Sequence, residues 1–262
     1  MNKFIKNSIQ YSEYLKNKRV IVCGPGDILT NKNTGKKIDS YDVIVRLNNS
    51  YPVNINNKKS NIEIGTRTDV LYHTGAINTC LRVAANRNKI GRIELLKNDG
   101  IKFIVSKRDP INGKKRDKAF LNKFIKLNNN YIKKNPKESQ ILLVPVFNRF
   151  LGELQNILNK SDPNMSTLAI IHLLTYDIAK LEIVGCDFYN TGYHNHYTIA
   201  NHIKWDNTLK KLVRIDGKKR RKAKIPHDYS IQIKFLLKVF ENDERVEIDK
   251  NIINNLKRKV GE

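Results

Sequence analysis

Short β-branched runs separated by polar, glycine-bearing breaks set the rhythm of most of this chain. "RVIVC" at 19–23 stops at Gly24-Pro25-Gly26, the pattern of a strand entering a tight loop. Further strands are predicted at 41–47, at 69–72 after Gly65-Thr66-Arg67-Thr68, and at 101–105, "IKFIV". Phe120, Phe124 and Leu127 fall on one face of a helix expected over 117–134. "ILLVPVF" at 141–147 reads as a strand interrupted by its proline. Ser161 to Ser166, "SDPNMS", is dense in helix-start residues, and an apolar helix is expected from there to about Ala179. "LEIVGCDFY" at 181–189 reads as a strand with a polar end, and 228–240 has helical periodicity. Strands alternating with helices predict a single Rossmann-like α/β domain, with a mostly parallel twisted sheet flanked by helices.

The stretch "IDSYDVIVRLNNS" at 38–50 sharpens the picture, because a buried strand there delivers an arginine and two asparagines to its carboxyl end. Structural economy would put a plain turn at that point. In α/β sheets, however, ligands sit at the carboxyl ends of strands.

Composition adds a partner class. The 262 residues carry a net charge of +24, which favours acidic partners: nucleic acid, an anionic membrane surface, or phosphorylated and carboxylated substrates. The crowding of Lys, Asn and Ile is also the residue usage an AT-rich genome would impose. Residues 1–18 read as a basic N-terminal segment, 19–262 as one domain, and 206–224 as a basic surface loop or lid. The three cysteines, Cys23, Cys80 and Cys186, lack motif spacing, and two of them lie in apolar runs as small hydrophobes. No apolar run approaches the roughly 18 residues of a membrane span, and no signal peptide is recognisable. A soluble, cytoplasmic protein is the expectation.

Candidate chemistry is spread along the rim that these strands predict. Gly24-Pro25-Gly26 could bring backbone amides to a phosphate, or it is simply a turn; the third glycine of a dinucleotide fingerprint is absent, Leu29 standing in its place. His194 and His196 could pair on a metal, but the cysteines supply no further ligands, and a ligand-facing acid or base is the other reading. His227 precedes a helix start at Asp228. His172 lies in an apolar helix and is read as packed. Lys218 to Lys222, "KKRRK", is a nucleic-acid patch or a loop that draws in an anionic substrate; no aromatic residues interleave with it for base stacking.

Several of these stretches together resemble the animal-type sialyltransferases, glycosyltransferase family 29, with their sialyl motifs L, S, III and VS. The large motif is similar to Val20–Tyr72, through Gly24-Pro25-Gly26-Asp27, Asp39-Ser40-Tyr41-Asp42 to Arg46 and Asn48, and Gly65-Thr66-Arg67-Thr68. The small motif resembles Met165-Ser166-Thr167, the helix after it, and Ile183-Val184-Gly185-Cys186. His196-Tyr197 is similar to motif III, and His227 with Gln232 to motif VS, with the amide where the family has an acid. Pro25 stands where the family has an asparagine and Thr167 where it has a glycine. The family's disulfide would join the positions of Val20 and Ile178.

That resemblance implies a GT-A-like variant of the α/β fold and an inverting, metal-independent transfer of sialic acid, or a related nonulosonic or keto-sugar acid, from a CMP donor to a glycan hydroxyl. No cofactor is implied, since CMP-sialic acid is itself the donor substrate. It assigns donor binding to Gly24, Pro25, Gly26, Asn48, Ser166, Thr167, Gly185, Asp187, Tyr193 and His194. His227 would be the general base, His196 would face the departing CMP phosphate, and Arg46 would brace the fold through Asp39 or Asp42. Two alternatives rest on other features: a non-enzymatic nucleic-acid or polyanion binder on the net charge, and a degenerate fold that only binds sugar nucleotides on Pro25 and Gln232.

Overall fold

The computed structural model describes residues 2–48, 50, 58–74, 92–108, 115–186, 188, 203–206, 211–214 and 227–261. Among them, strands β1 (Arg19–Cys23), β2 (Val43–Leu47), β3 (Val70–His73), β4 (Phe103–Ser106), β5 (Leu142–Pro145), β6 (Lys180–Val184) and β9 (Val246–Ile248) form one sheet in the order β5-β4-β3-β2-β1-β6-β9. Every pairing in it is parallel. A separate antiparallel pair joins β7 (Ile203–Asp206) to β8 (Lys211–Arg214). Within the stretch 206–224, Asp206 ends β7 and 211–214 form β8, while 207–210 and 215–224 lie outside the described residues.

Parallel strands are covered on both faces, so each can be apolar throughout. Val20, Val22, Val43, Val45, Tyr72 and Val105 face one layer, made of α1 (Lys3–Leu15), α6 (Asn148–Ile157), α7 (Met165–Leu174), α8 (Tyr229–Asn242) and α9 (Lys250–Val260). Ile21, Cys23 and Ile44 face α2 (Gly35–Asp39) and α3 (Lys58–Ile64) on the other side. Farther along that face, Leu71, Ile104 and Leu143 pack with α4 (Arg92–Asn98) and α5 (Lys115–Lys134). Pro145 is tolerated because β5 is a sheet edge. The N-terminal segment contributes α1, whose Tyr11 and Leu15 are buried and whose Asn7 side chain donates to Leu143 O at 2.9 Å. Val20 and Ile178 sit in the apolar core. No helix among the described residues is long and apolar enough to cross a membrane.

Three expectations change. The helix starting at Met165 ends at Leu174, not Ala179, because Thr175 Oγ1 turns back onto His172 O and Ala179 N–H is drawn to Lys18 O to begin β6 beside β1. The strand over 181–189 ends at Val184, where Gly185 turns out of the sheet at φ +65°. Arg46, 0% exposed, does brace the fold, but it donates to the Ile64 and Arg67 carbonyls and to Thr68 Oγ1. Asp39 instead accepts the Thr66 and Arg67 amides, and Asp42 holds Arg19. Backbone carbonyls carry fixed dipoles, so the guanidinium needs no carboxylate to stay in the core.

His172, 7% exposed, meets the Tyr72 hydroxyl at Nδ1 (2.8 Å) and the Tyr176 hydroxyl at Nε2 (3.3 Å). Burial pushes its pKa from 6.5 down to about 4. At the end of β3, His73 falls to about 3, by burial first and the Arg108 charge second. An unfolded chain would take up both protons near 6.5, whereas the folded one resists until well below. Stability is thus complete above pH 6.5 and is lost as pH falls through about 4. Urea titrations at stepped pH should show the unfolding free energy falling by at least about 2 kcal/mol over that window. A flat profile would mean that these imidazoles are solvated.

Candidate active site

From β1 the chain builds the sheet outward through β2 to β5, then returns to place β6 on the other flank of β1. That reversal falls at the carboxyl ends of β1 and β6, the usual ligand position in such sheets. Gly24, Pro25 and Gly26 leave β1 there, and Gly185 leaves β6. The two turns are laced together: Gly24 N–H donates to Val184 O and Gly26 N–H to Gly185 O, both at 2.8 Å. A Cβ on Gly24 would lie 2.3 Å from Gly185 O, and one on Gly185 would lie 2.6 Å from Gly24 O. These glycines permit a close backbone approach. The Gly24 and Gly26 amides therefore have partners inside the protein, and half-buried Pro25 lies between them.

Asn48 ends β2 in the left-handed region, φ +51°, which asparagine tolerates better than most side chains. Its N–H donates to Tyr72 O at 2.7 Å, and its Oδ1 accepts Thr74 N–H at 3.1 Å, so it ties the ends of β2 and β3 together at the rim. Asn48 therefore serves the turn and stands, half-buried, at the rim of the sheet.

The α7 corner is assembled from both sides. Asn164 caps the helix, its Oδ1 accepting Thr167 N–H at 2.9 Å. Thr167 is buried and its hydroxyl donates to Gln232 Oε1 at 2.9 Å. The hydroxyl and amide of Thr167 thus both have partners within the protein. Ser166, half-buried in the first helical turn, keeps its place at the positive end of the helix dipole.

His227 docks on the same segment. Its Nδ1 lies 2.6 Å from Asp162 O. A carbonyl only accepts, so Nδ1 carries the hydrogen and the neutral ring presents its lone pair at Nε2. The next amide, Asp228 N–H, donates to Ser161 Oγ at 2.8 Å, and the Asp228 carboxylate caps α8 through Ile231 N–H. A base-competent imidazole and the amino end of α7 are thereby fixed to one loop, 161–167.

Sequence reasoning missed the cations on this rim. Lys107, directly after β4 and 13% exposed in its side chain, donates to Pro163 O at 2.7 Å and pairs with Asp162 Oδ1 at 2.8 Å. Burial pushes its pKa down against the opposing pull of Asp162. Arg108 Nε donates to Thr74 O at 3.0 Å. The available signal was positional: "SKR" follows the apolar run of β4 at the same edge as Asn48. Asp187, Tyr193, His194 and His196 lie outside the described residues. Among those described, no three His, Cys, Asp or Glu side chains gather as a metal cluster. A cleft of about 540 Å³ lined by Ile28, Ile248, Ile252 and Glu182 lies apart; of the predicted donor residues it touches Gly185.

The profile of glycosyltransferase family 29 (sialyltransferase) matches residues 2–173. A rat type 2 lactosamine alpha-2,3-sialyltransferase is 62% identical over 32 residues, 12% of this chain and 10% of that protein. A human CMP-N-acetylneuraminate-beta-1,4-galactoside alpha-2,3-sialyltransferase is 40% identical over 65 residues, 24% of this chain and 16% of that protein. The matched segments therefore span a small part of those relatives. The crystal structure of a mammalian sialyltransferase in complex with Gal-beta-1-3GalNAc-ortho-nitrophenol aligns with 95% of this chain and 79% of its own, at TM-score 0.50 and 11% identity, a likeness of fold.

The laced turns give a stability test. Gly24→Ala should lower the unfolding free energy by about 1–3 kcal/mol, because a backbone carbonyl must move aside. Gly152→Ala, with nothing within 4 Å of its Cβ and inside a helix, should gain about 0.5–1 kcal/mol. Equal effects in urea titration would show that the β1 and β6 turns part freely.

Proposed function

The chain belongs to glycosyltransferase family 29, the sialyltransferases, and on that premise we propose that it transfers sialic acid, or a related nonulosonic acid, from a CMP donor to a glycan hydroxyl. The observation that carries the proposal is the His227 ring, held at Nδ1 by Asp162 O beside the amino end of α7. Nε2 takes the proton of the acceptor hydroxyl. The freed oxygen attacks the anomeric carbon of the donor from the face opposite CMP, and the bond to the phosphate oxygen breaks with its electron pair. Configuration inverts in a single displacement.

The donor brings a carboxylate and a phosphodiester, so its binding calls for positive ends and cations. The α7 first turn with Ser166, and Arg108 after β4, support that half of the reading. His196, in the motif III position, receives the role of stabilising the departing phosphate, and Tyr193, His194 and Asp187 that of lining the nucleotide. Asn48 and Gly185 shape the rim on which cytidine rests. No metal enters this scheme, since CMP departs as a weakly basic anion and His196 meets its charge.

The test is a CMP-release assay with CMP-sialic acid and a glycan panel in the presence of EDTA. CMP release that depends on acceptor is expected. His227→Ala should lower turnover by about 10²–10⁴-fold while CMP still binds by calorimetry. Acceptor-dependent turnover unchanged in that variant would remove His227 from the mechanism.

A further inference from the structure

Lys107 follows β4 directly, and its ammonium meets two consecutive residues of the loop that carries the site. Nζ donates to Pro163 O at 2.7 Å and pairs with Asp162 Oδ1 at 2.8 Å. The side chain is 13% exposed, so a cation has been taken largely out of water. It is tolerated there because these two oxygens compensate it. The Lys107 N–H donates to His73 O at 2.9 Å. The residue is thereby anchored at both ends, to the sheet through its backbone and to the 161–167 loop through its ammonium.

The peptide that the ammonium brackets is the one that orients the imidazole. Asp162 O, which accepts the His227 Nδ1 hydrogen at 2.6 Å, belongs to the bond between Asp162 and Pro163. Proline has no amide hydrogen, so that peptide plane cannot be tied through its nitrogen. Its tilt is set by the donors on its oxygen and by the neighbours on either side. Gln232 Nε2 reaches the same oxygen at 3.2 Å, and Gln155 Nε2 donates to Asp162 Oδ1 at 3.2 Å. Lys107 spans the plane, holding the side chain of Asp162 before it and the carbonyl of Pro163 after it. A hydrogen bond to a carbonyl prefers the plane of that group, so a change of tilt would turn the ring.

We infer that Lys107 is a positioning residue for His227: its ammonium clamps the Asp162–Pro163 peptide to the carboxyl end of β4 and so holds the carbonyl that keeps the imidazole hydrogen on Nδ1. Because β4 belongs to the same sheet as β1, β2 and β6, the clamp also fixes the ring against the rim on which Asn48 and Gly185 stand. The kinetic consequence rests on His227 being the base; the clamp itself does not.

The experiment sets Lys107→Met and His227→Ala beside the unaltered chain. It measures kcat and donor KM, CMP affinity by calorimetry, and the nitrogen-15 shifts of labelled histidine, which report the ring tautomer. The unaltered His227 should show a single tautomer with hydrogen on Nδ1; a mixture there overturns the inference. Lys107→Met should average the two tautomers and lower kcat by about tenfold, with CMP affinity changed less than threefold. A variant whose urea midpoint falls while tautomer and kcat stay as they were shows a purely structural lysine and overturns the inference. CMP affinity weakened more than tenfold with the tautomer unchanged shows a donor contact instead, and overturns it too. If His227→Ala keeps full turnover, the base reading fails and the spectra alone decide: an averaged ring in Lys107→Met upholds the clamp, and an unchanged ring overturns it. Should Lys107→Met not fold, Asp162→Ala removes one of the two oxygens that the ammonium holds; a mixed tautomer then supports the inference and a single one overturns it.

Discussion

Parallel pairing on both flanks of β1 is the constraint from which the site follows. A strand paired with β2 on one side and β6 on the other must send both neighbours' connections away at the same end. The turns leaving β1 and β6 are then forced within backbone contact, and only glycine fits at Gly24 and Gly185. Residues that in sequence look like a ligand cradle are thereby a structural seam. The polar ends of β2, β3 and β4 are drawn onto the same rim, which is how Asn48, Thr74, Lys107 and Arg108 come to lie along one edge.

Buried polar side chains in this fold bond chiefly to backbone. Arg46 holds the 64–68 turn, Asn128 donates to Ile141 O, Asn7 donates to Leu143 O, and Gln232 holds 161–167. In these four the desolvated side chain is held largely by fixed backbone dipoles, although Arg46 Nη1 is left without a hydrogen-bond partner. The consequence for chemistry is rigidity. His227 is oriented by a carbonyl that is itself pinned from a second side, so the ring needs no carboxylate to select its tautomer. The His172 imidazole differs: in the core it meets two side-chain hydroxyls, those of Tyr72 and Tyr176.

Much of the fold was legible in the chain because both signals it uses are local. Apolar runs such as "RVIVC" and "VIVRL" need no partner to be recognised as strands, and "SDPNMS" announces a helix start through capping chemistry that operates within four residues. Boundaries were less legible where long-range hydrogen bonds ended an element, as at Leu174, whose helix stops to feed β6 beside β1. The helix at 3–15 was obscured because Ile5 and Ile9 lie on its exposed side while Asn7 is buried beside Tyr11 and Leu15, so its apolar residues do not form one stripe.

Sequence by itself determined the α/β class, most of the strands and helices, the residues that resemble sialyltransferase motifs, and His227 as the candidate base. Tertiary structure alone decided which polar groups are consumed by the protein and which are left for a ligand. It turned the Gly24 and Gly26 amides and the Thr167 hydroxyl inward, bound Arg46 to carbonyls instead of to Asp39 or Asp42, and brought Lys107, Asp162 and Gln232 around one loop. The reason is that residue type fixes how many hydrogen bonds a group can make, whereas the partner is chosen by distances between segments far apart in the chain.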